Sequence, residues 1–129
     1  MTKAEFADYL RALQAHDYAA IKQCYTHDYR AHFDGATFDR DGVIEVEKML
    51  ASVADSAWDV LDVVADENAI AVHAFLEMRF KKDAPPGFPL GAYKAGERIK
   101  TRFCGFYKLR DGKICEFRVF PFLGEKLTA

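Results

Sequence analysis

Residues 69–82, AIAVHAFLEMRFKK, decide the fold. Ile70, Val72, Ala74, Leu76, Met78 and Phe80 alternate with Ala71, His73, Phe75, Glu77 and Arg79. Side chains of a strand point to opposite faces in turn, so the even positions form one continuous apolar face. Working outward, Trp58 to Ala65 reads as a preceding strand and Asp66-Glu67-Asn68 as the turn between the two. On the other side, Glu97 to Leu109 reads as a strand. Arg110-Asp111-Gly112-Lys113 reads as a hairpin turn in which Gly112 supplies positive φ, and Ile114 to Phe122 as the last strand. Between the strands, residues 83–96 contain Pro85, Pro86, Gly87, Pro89, Gly91 and Gly96, which no regular ladder accommodates. Phe88, Leu90 and Tyr93 in that loop suit a cover over something apolar.

The first half carries a different period. Thr2 and Glu5 have capping-box spacing, and Phe6, Tyr9, Leu10 and Leu13 follow at helical intervals up to His16. Asp17 can cap a second helix that buries Ile21, Cys24 and Tyr25. Tyr29 to Asp34 reads as short and extended, with Gly35 breaking the pattern. Asp39 or Asp41 can cap a third helix that carries Val43, Val46, Leu50 and Val53, supported by Ile44 and Met49. Helices followed by a run of about four strands predict an α+β domain, with the helices packed on a curved antiparallel sheet. No repeat or linker interrupts it, so residues 1–129 read as a single domain.

The totals narrow the function. A net charge of −2 provides no broad positive field for nucleic acid or an anionic membrane. The charged, amphipathic start lacks the apolar stretch of a signal peptide, and no run reaches the ~20 apolar residues of a membrane span. Three cysteines without CxxC spacing argue against a disulfide framework or a zinc site, so a reducing cytoplasm is expected. The four histidines lack paired metal-ligand spacing and no phosphate loop is present, so neither a metal nor a nucleotide cofactor is expected. Eleven Phe, six Tyr and one Trp suit a well-filled core and subunit interface, an aromatic-lined ligand pocket, or both.

The stretches YLRALQAHDYAAIKQCYTHDY (9–29), DGVIEVEKML (41–50) and FYKLRDGKICEFRVF (106–120) resemble the nuclear transport factor 2-like superfamily, within it the SnoaL-like, polyketide-cyclase-like and ketosteroid-isomerase-like branches. That resemblance implies a cone-shaped α+β barrel, often dimeric through its outer sheet face. It implies a concave face carrying Val72, Ala74, Leu76, Cys104, Phe106, Phe117 and Val119, and a convex face carrying His73, Phe75, Glu77, Phe103 and Tyr107. Trp58 reads as core or pocket wall. Val72, Leu76, Phe106 and Phe117 would then line an apolar site. Arg102, sharing parity with Cys104 and Phe106, would either meet an anion in the cone or reach solvent at its mouth.

The isomerase branch implies a carboxylate base at the end of the first short strand. Counted without gaps from Asp17 that position is Phe33, and one inserted residue moves it to Asp34. His32 lies beside it, and SnoaL-like sequences often have histidine there. Either residue can act as the base, or Asp34-Gly35 is a solvated turn and His32 an edge residue. The same branch implies a first-helix tyrosine that steadies a developing oxyanion, matched by Tyr9, which otherwise reads as a core tyrosine. Its second oxyanion donor, a protonated acid, falls on Cys104, and a thiol is a poor substitute. The resemblance thus implies a cofactor-independent isomerase or cyclase that abstracts a proton next to a carbonyl of an apolar small molecule. A non-catalytic ligand-binding or dimerisation module of the same fold is the alternative.

Overall fold

The computed structural model describes residues 1–33, 35–88, 91–121 and 125–127. In chain order the elements are α1 (Lys3–Gln14), α2 (Tyr18–Gln23), β1 (Tyr25–Phe33), β2 (Ala36–Asp39), α3 (Arg40–Val53), β3 (Ala54–Ala65), β4 (Ala69–Phe80), β5 (Arg98–Arg110), β6 (Lys113–Pro121) and β7 (Glu125–Leu127). The helices start where the sequence places caps. Thr2 and Glu5 exchange a reciprocal capping box, Asp17 accepts from the Ala20 amide, and Asp39 accepts from the Gly42 amide.

The strands form one mixed sheet in the order β2-β1-β6-β5-β4-β3, with β7 pairing β5 beyond the end of β6. The sheet curls without closing, and the helices cover its concave face. This is the expected α+β cone, with two differences. β1 lies parallel to β6, so the sheet is not wholly antiparallel, and the short β2 continues it beyond β1. More than 80 residues separate the paired β1 and β6 positions, such as Ala31 and Phe117, and no local pattern records so distant a pairing.

The buried face of β4 is the predicted one: Ile70, Val72, Ala74, Met78 and Phe80 are all buried. On β5 the expected parity is reversed. Phe103 and Tyr107 face the core, while Arg102 and Phe106 are exposed and Cys104 is only partly buried on the outer face. Gly105 gives the reason. It pairs with Val72 on the inward side, and a Cβ there would lie 3.0 Å from Phe117 and 3.1 Å from Val72. The expectation followed Cys104 and Phe106, whereas the buried stripe of β5 is that of Phe103 and Tyr107.

A second, smaller cluster joins Val53, Ala54, Met78, Phe80, Phe88 and Ile99. Phe80 stacks on Tyr93 and meets Phe88 edge-on, so the described part of the Pro/Gly-rich loop does cover apolar surface, while Leu90 lies outside the described residues. Among the described residues no helix is long and apolar enough to cross a membrane.

Candidate active site

The centre of the cone is built of tyrosines. The cap at Thr2 fixes the start of α1, and Phe6 and Tyr9, one helical turn apart, enter the core together. The Tyr9 hydroxyl lies 2.6 Å from the Tyr25 hydroxyl. Tyr25 opens β1, and its ring stacks on that of Tyr29 at 3.9 Å. Rings four residues apart on a regular strand would be far out of contact, since each residue advances ~3.3 Å. They meet because β1 bulges between Tyr25 and Arg30, where the Thr26 hydroxyl closes the bend on Asp28 at 2.8 Å. Tyr107 arrives from β5, edge-on to Phe6 and Tyr9 and tilted against Phe117.

All four phenols are held above their ordinary pKa, chiefly by burial. They stay protonated throughout the physiological range and act as neutral hydrogen-bond donors. Two phenols joined by one hydrogen bond hold two protons, so one O–H is left over to donate elsewhere.

The sequence reading also passed over a carboxylate on α3. Glu47 lies on α3, three and four residues after the buried Ile44 and Val43, and so on the same helix stripe. It keeps some surface, yet surrounding protein desolvates its carboxyl group and pushes its pKa up to about 7. Its charge in turn raises the phenols of Tyr18, Tyr25, Tyr29 and Tyr107. The signal was a lone carboxyl at a core position of an amphipathic helix.

The other expected site residues divide by face. Val72 is buried in the core, Phe117 packs against Tyr107 and Phe33, and Trp58 meets Phe103 edge-on at 4.9 Å. Leu76 packs against both apolar clusters. Tyr9 is 4% exposed and packs in the core. His32 does not face the cone. His32 pairs in register with Arg118, places Nε2 3.4 Å from the Glu116 carboxylate and Nδ1 3.1 Å from Thr37 Oγ1, and sits on the outer face. The reason is strand parity: Ala31 and Phe33 point inward, so His32 cannot. Arg102, Cys104 and Phe106 share that outer face, so none of the three lines the cone. Asp34 lies outside the described residues.

Cys104 is paired in register with His73, whose Nδ1 is 3.0 Å from Asp62, but no hydrogen bond joins the thiol to the imidazole. Two surface concavities lie away from the tyrosines. One of about 250 Å³ runs between α2 and α3 past Lys22, Asp41, Glu45 and Lys48, and one of about 640 Å³ lies in the loop around Phe88 and Tyr93. The first has a rim of mixed charge, and neither shares a residue with the tyrosine cluster. Among the described residues no group of three or more His, Cys, Asp or Glu is placed to hold a metal.

No protein of curated function matches the chain. Solved structures do. A SnoaL-like polyketide cyclase from Agrobacterium tumefaciens superposes with a TM-score of 0.73 at 15% identity, covering 91% of this chain and 87% of its own. TsrD from Streptomyces laurentii gives 0.74 at 15%, covering 94% and 90%. An LEH-like epoxide hydrolase from M. tuberculosis gives 0.68 at 15%, covering 88% and 77%. At these identities the likeness establishes the fold. The model of the SnoaL-like domain matches residues 6–117, and the chain belongs to the SnoaL-like domain family.

Proposed function

We propose that the chain is a cofactor-independent small-molecule enzyme of the isomerase or cyclase type. It would bind an apolar carbonyl compound in the cone and ease removal of a proton from the neighbouring carbon. The observation that carries this reading is the buried Tyr9···Tyr25 hydroxyl pair, 2.6 Å apart within an aromatic shell. The phenol proton left over from that pair can donate to an oxygen as negative charge develops on it. In surroundings this dry, such a bond is worth far more than in water. Trp58, Leu76, Phe33 and Val119, partly buried around the core, would form the apolar wall. The three cysteines are free thiols, which suits a reducing, cytoplasmic setting.

The test is deuterium exchange next to the carbonyl of a panel of apolar cyclic ketones in D2O, followed by NMR. The chain should exchange at least one of them well above buffer, and Tyr9→Phe should lower that rate ~100-fold or more. Exchange no faster than buffer across the panel rejects the reading.

The alternative, a binding or dimerisation module without turnover, draws support from the dense filling around Tyr29, Phe6, Ile21 and Ile114, each 1% exposed or less. It predicts a ligand that raises the melting temperature with no product formed. Under either reading we propose a homodimer through the outer sheet face. Phe106, Phe120 and Val64 are exposed there. Arg30, Lys108 and Arg118, with Glu116 among them, flank that apolar strip on one side, and Asp59 and Asp62 on the other. A twofold axis through the strip would lay the basic flank of one copy on the acidic flank of its partner.

A further inference from the structure

The two edges of the sheet are unlike. β2 ends it on one side with 4 residues, and β3 ends it on the other with 12. A short edge is a common protection against the addition of a further strand, and β3 lacks it. The ladder shows which backbone groups of β3 are unpaired. The Lys81 amide donates to the Val53 carbonyl at 2.8 Å, which makes Asp55–Arg79, Ala57–Glu77 and Asp59–Phe75 the hydrogen-bonded pairs. Ser56, Trp58 and Val60 alternate with these and turn their N–H and C=O groups away from β4. Beyond the bulge at Leu61 the Asp66 amide donates to the Ala69 carbonyl at 3.0 Å, so Val63 and Ala65 turn outward in the same way. Gln14 Nε2 donates to the Ser56 carbonyl, and among the described residues no other hydrogen bond reaches these outward groups.

We propose that the edge of β3 from Trp58 to Ala65 docks an extended peptide of a partner protein, one that alternates apolar residues with lysine or arginine. The stretch offers about 25 Å of open edge. An added strand sets each residue on the same face as the residue opposite it. Opposite Trp58, Val60 and Val63 that is the inner face, where Val60 is 37% exposed and Trp58 and Val63 are half-buried, so apolar side chains fit there. Opposite Asp59 and Asp62 it is the outer face. Both carboxylates are exposed, and the partner recorded for Asp62 is His73 at 3.0 Å, so cations fit there. The peptide backbone bonds the outward N–H and C=O groups and the two rows of side chains select the sequence. A second copy suits the edge less well, because antiparallel self-pairing centred on this stretch would bring Asp59 and Asp62 of the two copies together. The unpaired groups point along the plane of the sheet, so the edge stays open when a second copy covers the outer face.

The experiment titrates fluorescein-labelled peptides with the full chain and reads their anisotropy. The probes are a peptide alternating valine and lysine, the same composition in separate valine and lysine blocks, the alternating peptide N-methylated at its valines, and a peptide alternating valine and glutamate. The alternating valine–lysine peptide should bind with a Kd on the order of 10 µM, and the block and N-methylated peptides at least ~10-fold more weakly. Val60→Pro removes one outward N–H and leaves the ladder to β4 intact, so it should weaken binding by ~10-fold or more. Asp59→Lys should turn the preference towards the valine–glutamate peptide, and Glu45→Gln on α3 should match wild type. Thermal melts check that the variants fold, and if Val60→Pro does not, the N-methylated peptide with the wild-type chain decides. No binding by the wild-type chain, equal binding of the N-methylated and parent peptides, or an unchanged preference in Asp59→Lys overturns the proposal. So does a wild-type chain that self-associates, loses this in Val60→Pro and binds no peptide, since the edge then serves a second copy.

Discussion

The two faces of β5 are drawn from the same thirteen residues and have opposite chemistry. Its inner residues Phe103, Gly105 and Tyr107 sit among Trp58, Val72, Phe6 and Phe117, and its interior polar atoms are phenol hydroxyls. The outer residues Arg102, Cys104, Phe106 and Lys108 sit beside Phe75, His73, Arg118 and Glu116, where apolar groups are interleaved with charge. On the outside Glu116 gathers Arg118 at 2.8 Å, His32 at 3.4 Å and Lys108 at 3.8 Å. On the inside Glu47 shares a helix stripe with the buried Val43 and Ile44. The Glu116 carboxylate is offset by the neighbouring basic groups of Arg118 and Lys108, whereas desolvation moves the proton equilibrium of Glu47 upward. The chemistry is therefore expected on the inside, and association on the outside.

The harshest way to break this contrast is to put a side chain where β5 has none. Gly105→Val adds a Cβ 3.0 Å from Phe117, 3.1 Å from Val72 and 3.3 Å from Tyr107, all rings or branches held by neighbours. It should cost about 3 kcal/mol of stability, read as a lowered urea midpoint. A loss below about 1 kcal/mol would mean that the inner face is loosely packed.

The next effect is smaller and of opposite sign. Glu47 is raised from an ordinary 4.5 to about 7 by burial, so the folded chain holds its proton more tightly than the unfolded chain. The stability this brings is complete below about pH 4.5 and is lost as pH rises through about 7, leaving the charged form penalised above that. Glu47→Gln should therefore stabilise the chain by about 2 kcal/mol at pH 8, allowing for the residue's partial exposure. At pH 4.5 it should do little. Melting curves at the two pH values decide it, and equal shifts would mean that Glu47 is not desolvated.

What the sequence made legible follows from the range of each signal. Caps at Thr2, Asp17 and Asp39 and the alternation of β4 are local, and the structure has them where the residues put them. The parity of β5 was misread because Gly105 removes an apolar mark from the inner stripe while Phe106 adds one to the outer. His32 was misplaced for a related reason: its face depends on β1 lying parallel to β6, and that pairing joins residues far apart in the chain. Tyr9 could be read because its helix stripe is periodic. Its partner Tyr25 was legible as buried, but the stack on Tyr29 depends on a bulge that carries no Gly or Pro. Glu47 was passed over because a glutamate within a charged helix reads as solvated until the partners of its stripe are known.

The gentlest test acts on the outer face one residue away from Gly105. Phe106 is 37% exposed and pairs in register with Arg118 and Ala71. Phe106→Glu removes an aromatic group from the apolar strip and sets a charge beside Arg118. In an isolated chain the fold should hardly notice, changing by less than about 0.5 kcal/mol, because no core contact is lost. Association should fail, since two such glutamates would face each other across the proposed twofold axis without water to separate them. Sedimentation of the wild-type chain should give a dimer, and of the variant a monomer with an unchanged circular dichroism spectrum. If Phe106→Glu unfolds the chain instead, the side chain belongs to the core and the parity assigned to β5 is wrong. If it folds and remains dimeric, the copies meet elsewhere, and the exposed edge strand β3, with Leu61 at its bulge and Val64 70% exposed, becomes the surface to alter next.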